Sequence, residues 1–285
     1  MSDFVSNTLA SLRISAELLL LSGLVFSLIS LVFKGPEAIA AGRRALREIR
    51  LNLKFYVFDL LFVAPFIGAL VIGLRSTIDR LGLGFVHPST WDGLGTYGAF
   101  LAVVFLGDFT SYWRHRLEHT PALWPSHAIH HGDTDMSWTT LARFHPVNHL
   151  TTSVIDIGVL ALLGFPTWAL VANEMVRKYY GEFIHSDLPW TFGPAGRILV
   201  SPAMHQWHHA RDVVGSGSNF ATVFSVFDQA FGTFHLPGVC NVPLGVTEDL
   251  GMSLWSQLRF PFVSWAERLR RTRPDSPPRA RVVGS

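Results

Sequence analysis

The chain has 285 residues, of which 49% are hydrophobic and only 15% are charged. Soluble domains carry roughly 25% charged residues, and the apolar residues here gather in long uncharged runs, so the composition indicates an integral membrane protein. The formal net charge of +2 argues against a nucleic-acid-binding protein with a broad basic face. The single cysteine, Cys240, excludes an intramolecular disulfide and Cys-ligated zinc or iron–sulfur sites, so a metal must be held by His, Asp or Glu.

The first apolar run lies near the N-terminus. Residues 18–33 are uncharged and, with residues 14–17, approach the roughly 20 residues that span a bilayer. No small-residue cleavage site follows, which predicts a retained membrane anchor; a buried core helix is the alternative. Residues 34–54 contain six Lys or Arg and two acids, so the positive-inside rule places this stretch in the cytoplasm.

Two further apolar runs are predicted to cross the membrane, residues 55–74 and the shorter run 93–107. The first carries a single acid, Asp59, near its cytoplasmic end. Residues 1–107 are therefore predicted to form transmembrane anchor helices arranged as hairpins, after which the chain returns to the cytoplasm near Asp108.

The fourth apolar run, residues 150–173, has histidine-rich segments on both sides. If these histidines share one site, both ends of the run lie on one membrane face, and 24 residues cannot cross a bilayer twice. We therefore expect a re-entrant or in-plane hairpin broken at Gly164-Phe165-Pro166, because proline removes a helical hydrogen bond. Residues 236–285 are predicted to hold an amphipathic segment, on the headgroup surface or packed as a soluble helix, and a disordered basic tail.

Histidine is concentrated in the middle of the chain, where 11 of the 13 copies fall between residues 115 and 209. Two HxxHH clusters, at 127–131 and 205–209, accompany an HxxxH pair at 115–119 and further single histidines. Residues three and four apart share one helix face, so we expect each cluster to direct two or three imidazoles at one point. Imidazole suits iron, zinc, copper or nickel, and the number of imidazoles exceeds the four ligands of a structural zinc site, which favours two metals.

The order of these motifs resembles the fatty acid hydroxylase/sterol desaturase superfamily. The resemblance covers about residues 95–235 and rests on the following segments: DFTSYWRHRLEHTPALWPSHAIHH at 108–131, His185-Ser186, SPAMHQWHH at 201–209, Asn219, and FDQAFGT at 227–233. It implies an all-α integral membrane oxygenase whose cytoplasmic helical cap holds a His-rich dinuclear iron centre. It also implies O2 activation with electrons from a separate donor, and hydroxylation or desaturation of a lipid C–H bond.

The resemblance also assigns metal ligands within a catalytic region at residues 108–235. They are His115, His119, His127, His130, His131, His185, His205, His208 and His209, with His145 added because it matches the His-Pro element of the sterol-oxidising branches. His145 could instead start a helix, since Pro146 suits a first helical position, and His149 is a weaker candidate. The fatty-acyl 2-hydroxylase branch has another histidine where this chain has Gly181, which weakens that assignment.

Several other polar residues near the histidines could support the metals. Asp108 could accept a hydrogen bond from a ligand imidazole or lie at a solvated helix end. Similar candidates are Glu118, Asp133, Asp135, Asp187 and Asp228. Arg114 and Arg116 are expected to face lipid phosphates or the basic side of the membrane.

The sequence therefore predicts an oxygenase acting on a membrane lipid, whether sterol-like, hopanoid, carotenoid or acyl chain. Two iron ions are expected, although zinc could replace them on purification. No haem, flavin or nicotinamide motif is recognisable, so a ferredoxin- or cytochrome-type partner would supply electrons; the basic loop and tail could dock it or contact anionic lipids. The alternatives are a non-redox zinc-dependent membrane hydrolase and a scaffold retaining degenerate histidine boxes.

Overall fold

The computed structural model describes residues 2–211 and 217–271. Its N-terminal part is a set of long helices joined by short turns. These are α1 (Ser2–Lys34), α2 (Pro36–Arg44), α3 (Leu46–Phe58), a π-helical segment (Asp59–Val63) and α4 (Ala64–Leu81). Gly35 joins α1 to α2 with a φ of 55°, a left-handed conformation that glycine adopts without strain.

Two helical stretches are long and apolar enough to cross a membrane, Leu12–Lys34 and Leu46–Leu81. Their apolar side chains are mostly exposed: Leu20 is 73% exposed and Phe66 is 65% exposed. Exposed apolar surface of this extent marks a membrane or protein interaction site. The predicted third span, at 93–107, is not among the candidate spans of the described residues and instead forms part of a helix that continues into the histidine region.

The middle of the chain forms a second helical layer around that longer helix. Its elements are α5 (Ser89–Gly93), α6 (Gly95–Glu118), α7 (Trp124–His127), α8 (Pro146–Thr152), a second π-helical segment (Ser153–Ile157), α9 (Gly158–Leu162) and α10 (Thr167–His185). Short 3-10 turns lie at His130–Gly132 and Trp138–Ala142. Because α9 and α10 flank a break, the fourth apolar run is divided into separate helices.

The break between α9 and α10 falls at Gly164, Phe165 and Pro166, where the sequence predicts it. Gly164 has a φ of +72°, and a Cβ there would lie 2.2 Å from the carbonyl oxygen of Val86, so no other residue fits this close approach. Phe165 stacks on Trp91 with ring centroids 3.9 Å apart. This contact holds the break against α5.

The C-terminal part covers the histidine region. It contains a 3-10 turn (Gly193–Arg197), α11 (Pro202–His208), α12 (Val226–Ala230) and α13 (Leu254–Arg271). In α13, Gln257 accepts a hydrogen bond from Arg143 and the Trp265 indole donates to the Ala122 carbonyl. The predicted amphipathic segment is thus a helix packed on the protein, whereas the predicted tail beyond residue 271 lies outside the described residues.

Candidate metal centre

Nine histidines meet where several helices end. His115 lies in the last turn of α6 and His119 follows it, His127 ends α7, and His185 ends α10. The 3-10 turn after α7 supplies two more, His130 and His131, and α11 with the residue after it supplies His205, His208 and His209. Because helix ends converge here, side chains distant in sequence reach one buried region.

The nine side chains form two groups that could each hold a metal ion. The five-histidine group consists of His115, His119, His127, His131 and His208, and the four-histidine group of His130, His185, His205 and His209. Within each group the candidate ligand nitrogens all lie within 4.8 Å of one another. The geometry therefore provides two centres, each with enough imidazoles for a metal.

Each HxxHH cluster directs two of its imidazoles to one group and the third to the other. His127 and His131 go to the five-histidine group, and His130 between them goes to the other. The second cluster divides in the opposite sense, with only His208 joining the five-histidine group. An α-helix such as α11 turns about 100° per residue, so His208 and His209 point apart while His205 and His209, four apart, share a face. In the first cluster, the chain passes from α7 into a 3-10 turn, which separates His130 from the other two.

The spacing of the imidazole nitrogens fits a shared metal. In the five-histidine group, the Nε2 atom of His127 lies 3.0 Å from that of His115 and 3.2 Å from that of His131. In the four-histidine group, the Nε2 atom of His185 lies 3.0 Å from those of His130 and His205. Ligands about 2.1 Å from one ion at right angles would be about 3.0 Å apart.

Several of these nitrogens are buried without any hydrogen-bond partner in the described parts of the chain, including Nε2 of His119, His208 and His209. Leaving such atoms unpaired is costly, and metal coordination would remove the cost. Burial lowers the pKa of all nine imidazoles, to about 4 for His185 and His208. The rings are therefore neutral at physiological pH, which is the form that binds metals.

Backbone carbonyls orient three of the imidazoles. Nδ1 of His115 donates to the carbonyl of Phe220 at 2.8 Å, that of His185 to Gly181 at 2.6 Å, and that of His208 to Ser218 at 2.6 Å. Each bond places the proton on Nδ1 and leaves the Nε2 lone pair for a metal. The sequence does not predict this role of the three carbonyls, because every residue type has a backbone carbonyl.

Asp108 takes neither of its predicted roles. It is fully buried, and its carboxylate accepts the backbone N–H groups of Thr222, Val223 and Phe224 at 2.7–3.0 Å. Asp228 accepts the N–H groups of Phe220 and Ala221 in the same way. The two acids hold the loop that contains Phe220, whose carbonyl accepts from His115. They therefore position His115 indirectly, through this loop.

Arg114 does not face lipid, contrary to the expectation. Its side chain is 6% exposed and forms buried ion pairs with Asp156 at 2.9 Å and Glu118 at 2.6 Å. Glu118 also lies 3.4 Å from Nδ1 of His127, outside hydrogen-bond geometry. Among the candidate acids, Glu118 is therefore the one in contact with a histidine of the groups.

The remaining candidate acids pair elsewhere. Asp133 bonds Arg143 and Asn52, Asp135 lies 3.7 Å from Arg44, and Asp187 pairs with Lys34. They join α1, α2 and α3 to the histidine region. Their role is to hold the layers together.

The structure does not bring His145 to the other nine histidines. Its Nδ1 accepts the N–H of Val147 at the start of α8, and Pro146 takes the first helical position. Its Nε2 lies 3.2 Å from the Leu258 carbonyl. His145 is thus a helix cap, the alternative considered from its sequence, and His149 also lies outside the groups, bonded to Asp59.

Two cavities meet the histidines from different sides. One, of about 520 Å³, has a mostly apolar surface, to which Leu53 and Leu60 contribute, and it reaches His115, His127, His130, His185 and His205. Charged residues of α10, among them Glu174 and Arg177, also line it. The other, of about 390 Å³, is lined by His119, His131 and His208 together with polar residues that include Arg211 and Glu248. An apolar ligand and polar reactants can therefore approach the same centre separately.

Comparison with known proteins identifies the family of this site. The fatty acid hydroxylase family model matches residues 100–233, a stretch that contains all nine grouped histidines. The chain belongs to the fatty acid hydroxylase/sterol desaturase superfamily. The matched residues include most of α6 and all of α7 to α12. The two candidate membrane spans precede them.

Superfamily members with established names share this region. The ornithine lipid hydroxylase OlsE of Rhizobium tropici is 29% identical over 55% of this chain and 48% of its own length. An alkylglycerol monooxygenase of Danio rerio is 30% identical over 68% of this chain and 46% of its own, and a methylsterol monooxygenase 1-3 of Arabidopsis thaliana is 30% identical over 59% and 58%. The chain thus spans about half the length of these relatives, and no solved structure matches it.

Proposed function

We propose that this protein is a membrane-bound di-iron oxygenase that hydroxylates or desaturates a C–H bond of a lipid with O2 and external electrons. The observation that carries the proposal is the pair of buried imidazole groups at the end of an apolar cavity. Within each group, one Nε2 atom lies 3.0–3.2 Å from the Nε2 atoms of two other histidines. The named relatives are lipid hydroxylases and monooxygenases, which supports redox chemistry over hydrolysis.

The five- and four-histidine groups would each hold one iron, and iron would activate O2, the oxidant of the C–H bond. The chain's own residues do the remaining work. The carbonyls of Phe220, Gly181 and Ser218 keep the imidazole lone pairs directed inward. Apolar side chains from α3 and the π-helical segment after it would bind the lipid and exclude water from the reacting carbon.

The proposal places the centre at the cytoplasmic face of the membrane. Lys34, at the basic end of the first candidate span, pairs with Asp187, two residues after His185. The basic residues of α2 and α3 lie on the same side of that span, and the positive-inside rule assigns that side to the cytoplasm. There the polar cavity at His119, His131 and His208 would be open to a soluble electron donor.

The balance of the reaction defines what the partner must provide. Hydroxylation places one oxygen atom of O2 in the lipid and reduces the other to water, which consumes two electrons and two protons. Since no flavin, haem or nicotinamide motif is recognisable in the sequence, a one-electron carrier such as a ferredoxin or a cytochrome would deliver them.

The test compares cells that express the wild type and cells that express His131→Ala at matched levels, by accurate-mass lipid analysis. We expect a lipid that gains one oxygen, or loses two hydrogens, only in the wild type. Metal analysis of the purified wild type should find iron. Tightly bound zinc with oxygen-independent lipid turnover would instead establish the hydrolase and overturn the proposal.

A further inference from the structure

The apolar cavity contains a polar patch that the metal centre does not use. Asp59, His149 and Thr152 all line the cavity. His149 Nε2 donates to Asp59 Oδ2 at 2.8 Å, and Thr152 lies three residues after His149 on α8, on the same helix face. Asp59 is also the only acid within residues 55–74, and an ionisable residue in an apolar span is by default a functional candidate.

Two atoms of this patch are buried and unpaired. Oδ1 of Asp59 and Oγ1 of Thr152 find no hydrogen-bond partner within residues 2–211 and 217–271. Buried polar groups are normally satisfied, and each exception calls for a ligand, a water or a catalytic role. Both atoms can accept a hydrogen bond, and the hydroxyl of Thr152 can also donate one.

Irregular backbone frames the same place. Asp59 begins one π-helical segment, and Thr152 directly precedes the other. Such π-bulges are uncommon and often occur at functional sites. Two of them facing one patch indicate that the helices are shaped around something bound there.

The patch lies close to the four-histidine group. The ring of Phe144 is 5.0 Å from that of His149 and 5.7 Å from that of His130, and Phe144 lines the same cavity. A single phenyl ring therefore separates the patch from a candidate metal ligand. A group held at the patch lies near the reacting end of the cavity.

We infer that Asp59 and Thr152 bind a hydrogen-bond-donating group of the lipid, a hydroxyl above all, and so select hydroxyl-bearing lipids for oxidation close to their polar end. This inference rests on the proposed lipid-oxidising function. The hydroxyl would donate to Oδ1 of Asp59, while Oγ1 of Thr152 would donate to the hydroxyl oxygen. His149 positions the carboxylate through its bond to the other oxygen.

The test measures equilibrium binding of two matched probes, 1-hexadecanol and its methyl ether, to the full-length, metal-free protein in detergent. The ether keeps the chain and the oxygen but cannot donate a hydrogen bond. We expect wild-type protein to bind the alcohol about tenfold more tightly than the ether, the effect of one hydrogen bond. Asp59→Leu should bring the ratio close to one, because only the alcohol can donate to Asp59. Thr152→Val should weaken the binding of both probes, because the oxygen of either can accept from Thr152.

Thr152→Ser should keep the wild-type affinity for both probes, because it keeps the hydroxyl. Thr77→Val is the matched control, since Thr77 lies on α4 outside the cavity and its hydroxyl donates to the Gly73 carbonyl. If Asp59→Leu fails to fold, Asp59→Asn replaces it, because the amide oxygen can still accept from His149 while the charge is lost.

Equal affinity for the two probes in the wild type would overturn the inference and leave water as the occupant of the patch. An undiminished preference for the alcohol in Asp59→Leu, or unchanged affinity for both probes in Thr152→Val, would overturn it as well. Because the protein is metal-free and no turnover is measured, this result is independent of the iron content and lipid oxidation that test the proposed function.

Discussion

The two histidine groups differ in what surrounds them. The five-histidine group borders both cavities and has an acid, Glu118, beside His127. The four-histidine group reaches only the apolar cavity among those described and is oriented through a backbone carbonyl, that of Gly181. A metal in the five-histidine group would therefore face both the polar reactants and the lipid, whereas one in the four-histidine group would face only the lipid.

The largest expected effect is the loss of one ligand from each group. His208→Ala in the five-histidine group and His205→Ala in the four-histidine group should each lower bound iron from about two to about one per chain. Each should also reduce lipid oxidation at least 100-fold, since the two metals act together. Metal analysis would measure the bound iron, and accurate-mass lipid analysis would measure the oxidation. If a variant retains both irons and activity, the substituted histidine is not a metal ligand.

A substitution at Glu118 should separate the two groups. Glu118→Gln removes the charge beside His127, and changes next to metal ligands typically lower metal affinity 10–100-fold. We expect iron affinity to fall at one site of two in a titration. Asp156→Asn is the matched control, because it disturbs the same Arg114 but touches no histidine; equal loss in both variants would assign the effect to the buried ion pairs.

A pH titration of the metal-free protein should expose the cost of burying so many imidazoles. The pKa of His185 and His208 is lowered from 6.5 to about 4 in the folded state, so the unfolded chain binds more protons between these values. Stability therefore falls as the pH drops from 6.5 towards 4 and is retained above 6.5. Thermal unfolding across this range would show it.

The smallest effect is expected at His145, which lies outside both groups. His145→Ala removes the cap of α8, which typically costs about 1 kcal/mol of stability, and should leave about two irons per chain. Unfolding and metal analysis of the same sample would check both. Loss of an iron in His145→Ala would show that His145 is a metal ligand after all.

Local patterns in the sequence predicted much of this molecule. The helical class, the break at Gly164-Phe165-Pro166 and the histidines that gather follow from runs, turn residues and motifs that act over a few positions. The cap role of His145 was also visible from Pro146 beside it. Such signals are readable because each depends on neighbours along the chain.

Contacts across the chain were not readable in this way. The burial of Arg114 against Asp156 joins residues 42 positions apart, and the bond between Asp59 and His149 joins residues 90 apart. A charged residue looks alike in sequence whether it faces lipid or a buried partner. Only the packing of α6 against α8, α9 and α10 shows that Arg114 faces a buried acid and not lipid.

The sequence by itself determined which imidazoles are present and that helices carry them. The tertiary structure decided how they are shared, since each HxxHH cluster divides between two groups according to the direction in which each side chain leaves its helix. It also decided where the polar patch of the cavity lies, because that patch forms only when α8 packs against the π-helical segment that begins at Asp59.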